Sequence, residues 1–175
     1  MVGGAYVVGG MVDFSRVRRF GGVPWRTEPV TESNVNLPRS SKEATYDLII
    51  ADLEKAKTMM AAFAIKGRPT KYAASALLGK VYIQMAGNDQ SSPFWAKAKD
   101  ELLAVVNSGA YALEKSSALL FSASNENSVE SIIEIQYSIS PDGPNGQFTN
   151  YYAPSQSMYT PLAQNGPFGR NRINK

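Results

Sequence analysis

Apolar residues recur at helical spacing in three stretches of the chain. Tyr46, Ile49, Ile50, Leu53, Ala56 and Met60 share one face, with Asp47, Asp52, Glu54, Lys55 and Lys57 between them. Ser40 followed by Glu43 reads as a capping box, so this helix is expected from about residue 41 to about residue 62. After the break at Gly67, Arg68 and Pro69, Thr70 is the expected cap of a second helix. Its apolar positions are Ala73, Ala74, Leu77, Leu78, Val81, Tyr82 and Met85, and Gly87 ends it. Pro93 suits the first turn of a third helix. Trp95, Ala98, Leu102, Val105 and Val106 form its apolar face, with Trp95 expected in the core and Gly109 closing the helix. Ser117 to Phe121 reads as one more turn.

Outside these helices the pattern weakens. The start, MVGGAYVVGGMVDF, has four glycines in ten residues, which disfavours a helix. No Lys or Arg precedes its apolar stretch, so it lacks the charged region of a secretory signal. Residues 1–12 are therefore expected to be an irregular or non-native leader, with 13–20 the end of a helix stopped by Gly21 and Gly22. Pro24, Pro29 and Pro38 mark an extended loop. Ile133, Ile135 and Tyr137 alternate with Glu134 and Gln136, which predicts a short strand over 131–137. From Pro141 onward Gly, Pro, Asn, Gln, Ser and Tyr dominate, and so long a loop points to function. The expected organisation is a helical core over 41–109 followed by a strand and loop-rich tail over 110–175.

Composition narrows the chemistry. The 175 residues include neither cysteine nor histidine. That excludes thiolate catalysis, disulfides and nearly all zinc sites, and removes the usual general base near neutral pH. The carboxylates Asp47, Asp52, Glu54, Asp100 and Glu101 fall on the solvated faces of amphipathic helices. No nucleophile elbow, phosphate-binding loop or dinucleotide fingerprint occurs. The expectation is a non-catalytic protein without cofactor or metal. A net charge of +3, gathered at Arg16, Arg18, Arg19, Arg26, Arg170, Arg172 and Lys175, is too sparse for a nucleic-acid surface. No apolar run is long enough to span a membrane.

Leu78-Gly79-Lys80-Val81-Tyr82 matches the L-G-x-x-Y core of a tetratricopeptide helix. Gly79 would admit a neighbouring helix, with Ala96 and Ala98 as its small residues, and Tyr82 would fill the space beside it. Five segments in order then carry a more specific resemblance: RFGGVPWRTEP (19–29), RSSKEATYDLIIADLE (39–54), GRPTKYAASALLGKVY (67–82), WAKAK to VNSGAY (95–111) and ENSVESIIEIQ (126–136). Over about 120 residues the chain resembles the SusD/RagB family.

That resemblance implies a mainly α fold of tetratricopeptide-like hairpins, with a short β element and long irregular loops. It implies a non-catalytic, surface-exposed outer-membrane lipoprotein. Such a protein binds oligosaccharide or polysaccharide and delivers it to a SusC-like TonB-dependent transporter. Membrane association would come only through a lipid anchor that this chain lacks, and the chain reads as the middle of a longer family member. Sugars stack on aromatic rings flanked by amides and hydroxyls. The candidate ligand residues are therefore Trp25 in the proline-bounded loop and Asn150, Tyr151, Tyr152, Gln156 and Tyr159 in the tail. A different class stays open: a tetratricopeptide scaffold that holds a protein or peptide partner.

Overall fold

The computed structural model describes residues 2–62, 67–120 and 125–135. A first unit runs over Met1–Glu134 and a second over Ile135–Lys175. The described residues of the first unit form the helices α1 (Val2–Phe20), α2 (Lys42–Met59), α3 (Lys71–Ala86) and α4 (Phe94–Val106) and the short turn α5 (Ser117–Leu120). From α1 to α4 each helix packs on the next, so the architecture is a row of helical neighbours.

The Gly-rich start is a correction to the expected leader. It forms the first half of α1, a continuous helix of 19 residues. Each glycine costs a helix interior about 1 kcal/mol relative to alanine. Here two of them lie where α2 approaches closely: a Cβ at Gly10 would sit 2.8 Å from Leu53 Cδ2, and one at Gly3 would sit 2.6 Å from Met60 Cγ. Val7, Phe14 and Val17 continue the same buried face. Tertiary packing thus overrides local propensity. Gly21, with φ of 71°, ends the helix and donates its N–H to Val17 O at 2.9 Å.

The cap of α2 is shifted by one residue from the expected Ser40. Ser41 Oγ accepts the Ala44 N–H at 3.0 Å, while the Ser40 N–H goes to Val23 O at 3.1 Å. Ile49 and Leu53 are fully buried. Thr70 caps α3 as expected and also bonds Tyr111 Oη at 3.0 Å. Because α3 lies between α2 and α4, it buries a wide arc of its surface, with Ala73, Ala74, Leu78, Gly79, Val81 and Tyr82, and leaves Lys80, Ile83 and Gln84 exposed. One cluster of Phe14, Val17, Tyr46, Ile49, Leu53, Leu78, Val81, Tyr82 and Ala98 forms the main core. Val7, Ala56, Ala73 and Ala74 form a second.

The α3–α4 pair bears out the glycine contact with a different partner. A Cβ at Gly79 would fall 2.6 Å from Leu102 Cγ and Cδ2. Ala98 is buried, whereas Ala96 is exposed. Tyr82 stacks on Phe94, with centroids 6.1 Å apart and planes 12° apart. Trp95 is a second correction. It is 40% exposed, and its indole N–H donates to Asp89 O at 2.8 Å. The ring that enters the core is that of Phe94, one position earlier on α4. The predicted strand is a third correction: there is no strand among the described residues, and 131–135 is irregular. Gln136 and Tyr137 lie outside the described residues.

Candidate functional site

Residues 21–40 are a loop with its own scaffold. Arg26 donates to Asn34 O and Val35 O, each at 2.6 Å, closing the loop on itself. Asn34 Nδ2 donates to Pro29 O at 3.0 Å, and Asn34 Oδ1 accepts the Thr31 N–H at 2.8 Å. Arg39 reaches back to the end of α1, donating through Nε to Gly22 O at 2.8 Å and through Nη2 to Phe20 O. Those carbonyls have no partner within the helix, so the guanidinium satisfies and neutralises a helix C-terminus. From sequence Arg26 looks only like a member of a basic N-terminal group, and Arg39 figures only as the first residue of the segment over 39–54. An arginine flanking a Pro/Gly loop is the signal that could have marked them.

A groove of about 490 Å³ lies between α1 and α3. Val7, Met11, Phe14, Ala73 and Leu77 line it, and Ile132 and Ile133 border it from the segment after α5. Exposed Ser15, Arg18 and Lys80 also line it. Ile132 packs on the second core cluster, so this segment is held to the helices.

Charge collects where α2, α3 and α4 meet. Lys57 Nζ bonds Glu101 Oε1 at 2.6 Å and Glu54 Oε2 at 3.2 Å. Burial pulls the Lys57 ammonium down, but its bonds to Glu101 and Glu54 outweigh that and hold it above the ordinary lysine value. Burial pushes the Tyr82 hydroxyl up, and the charges of Glu54 and Glu101 add to the effect. Burial likewise raises Tyr46, against the opposing charge of Arg18. This cluster ties α2 to α4. Among the described residues no three acidic side chains gather to hold a metal ion, and no helix is long and apolar enough to cross a membrane.

Of the candidate ligand residues, Trp25 is half-buried and packs against the main core cluster beside the Arg26 clamp. It anchors its loop while leaving part of the ring at the surface. Asn150, Tyr151, Tyr152, Gln156 and Tyr159 lie outside the described residues.

The helical row, its glycine contacts and the clamped loop can be set against known proteins. A SusD-like family, described as starch-binding and associating with the outer membrane, matches residues 1–83. A SusD superfamily protein from Parabacteroides distasonis matches 95% of this chain at 27% identity and a TM-score of 0.79. A SusD-like protein from Bacteroides fragilis matches 80% of it at 30% identity and a TM-score of 0.66. The chain belongs to the SusD superfamily. A laminarin-binding SusD-like protein matches 78% of this chain at 27% identity, with a TM-score of 0.70. The SusD-like chain spans 36%, 27% and 30% of the length of these three structures, in that order. No curated protein matches it in sequence. The matched region includes the Gly-rich start, so α1 is SusD-like sequence from its first turn.

Proposed function

We propose that this chain is the helical part of a glycan-capturing outer-membrane lipoprotein, which binds oligosaccharide without catalysis and passes it to a SusC-like TonB-dependent transporter. The observation that carries this reading is the shared fold with a laminarin-binding relative, within a family described as starch-binding at the outer membrane. The helices α1 to α4 supply the rigid frame. In this reading sugar contacts come from the aromatic and amide side chains of Asn150, Tyr151, Tyr152, Gln156 and Tyr159. The exposed part of Trp25 is an additional platform. Rings supply apolar faces for sugar C–H groups, and amides hold the hydroxyls.

Calorimetry with laminarin and starch oligosaccharides tests the proposal. Binding should occur, and Tyr151→Ala with Tyr152→Ala should weaken it at least about tenfold, a loss of about 1.4 kcal/mol, with an unchanged circular dichroism spectrum. Equal affinity of the variant would remove the tail from the site. Absence of binding across a glycan panel would overturn the reading.

A further inference from the structure

The ring of Trp95 stands partly in solvent at the start of α4, and its indole N–H is already given to Asp89 O at 2.8 Å. Its backbone N–H is taken too, by Ser92 O at 3.2 Å. A surface tryptophan ordinarily offers a ligand both an apolar face and a donor. Here the donor is tied into the protein, so what Trp95 presents outward is ring. The same bond fixes the plane of that ring against the loop that joins α3 to α4.

That loop, over 87–92, is itself prebuilt. Asp89 Oδ1 accepts the Ser91 N–H at 2.9 Å and the Ser91 hydroxyl at 2.6 Å. These bonds hold the Asp89 carboxyl below its ordinary value. The Ser92 N–H closes the turn on Asp89 O at 3.1 Å. Asn88 and Gln90 flank Asp89 and are exposed, and neither side-chain amide has a hydrogen-bond partner among the described residues. Lys99, one turn along α4 from Trp95, is exposed as well. An apolar surface that further polypeptide covers is bordered by more apolar side chains. The border of this ring is amide, carboxylate, hydroxyl and ammonium. It suits a hydrated ligand that lays down one apolar face and exchanges hydrogen bonds at its edge.

We propose that Trp95 is a stacking platform for one glucose unit of an oligosaccharide, with the Asn88 and Gln90 amides holding its hydroxyls. A β-linked glucose ring carries its hydroxyls around the equator and C–H groups on its faces, which matches a flat indole rimmed by amides. The site rests on the glycan reading, and it adds a contact outside both Trp25 and the tail. One ring and two amides contribute a factor of about three to ten to the affinity of a longer oligosaccharide.

The chain has two tryptophans, Trp25 and Trp95. Grown with fluorinated tryptophan, it gives one fluorine resonance for each, and Trp95→Phe assigns them. Laminarin oligosaccharides should move the Trp95 resonance saturably, with the midpoint found by calorimetry. Sorbitol, which has hydroxyls but no ring face, should leave it in place. Trp95→Ala should weaken the calorimetric affinity about threefold to tenfold. Because that change also removes the bond to Asp89, Asn88→Ala with Gln90→Ala serves as the second variant. It keeps the ring and its anchor, alters only exposed side chains, and should weaken binding in the same direction with an unchanged circular dichroism spectrum. Calorimetric binding with a stationary Trp95 resonance, an equal shift with sorbitol, or full affinity in either variant would overturn the platform and leave the glycan reading standing. No binding of any oligosaccharide by calorimetry would overturn both.

Discussion

Replacing Gly79 by leucine tests the helix contact on which the fold depends. The first added carbon would fall 2.6 Å from Leu102 Cγ and Cδ2, and three more would follow into space that α4 occupies. Overpacking of this kind costs about 1–3 kcal/mol, and four carbons place it near the upper end. Leaving glycine returns about 0.8 kcal/mol of helix propensity. The net loss is then about 2 kcal/mol, which for a chain of this size lowers Tm by about 4–8 °C. Urea unfolding followed by circular dichroism should show a lower midpoint at unchanged slope. Gly79→Ala adds one carbon against a leucine that is only half-buried and can turn aside, so its two effects should nearly cancel. Adding Leu102→Ala to Gly79→Leu should recover about 1 kcal/mol relative to the sum of the single changes. An unchanged or higher Tm for Gly79→Leu, or strict additivity, would refute the close approach of α3 and α4.

Two neighbouring glycines in α1 should respond oppositely to alanine. Gly9→Ala meets open space and should stabilise the chain by about 0.5–1 kcal/mol, whereas Gly10→Ala meets Leu53 at 2.8 Å and should not; equal melting shifts would show that α1 does not seat on α2. High pH should weaken the fold. Tyr46, Tyr82 and Lys57 all have folded values above their ordinary ones. Their contribution is therefore complete below the ordinary tyrosine and lysine range near pH 10 and lost as pH rises through the raised values. Tyrosinate absorbance should accordingly lag for these two tyrosines, with Tm falling over the same range; all tyrosines titrating together at the ordinary value would contradict the burial described.

Much of the fold was legible because its signals are local. The spacing of Ile49, Leu53, Leu78 and Val81 marks helices wherever the chain goes, since one turn of helix is set by the backbone alone. Thr70 and Gly87 mark ends through bonds to residues three or four positions away. The L-G-x-x-Y motif predicted a close helix contact at Gly79, and the order of five segments predicted the family. Of the candidate ligand residues, sequence singled out ring and amide chemistry in the tail but had no means of bringing those side chains together.

What only the tertiary structure decided were choices made by a distant partner. The glycines of residues 1–12 argue against a helix in isolation, yet Leu53 and Met60, some fifty residues away, make them the residues that fit. Ser40 and Ser41 are equal as caps until Val23 takes the Ser40 N–H. Trp95 and Phe94 are adjacent apolar rings, and the stacking surface of Tyr82 determines which one turns inward. Periodicity fixes that a helix has an apolar face, but the rotation of that face depends on which neighbours arrive.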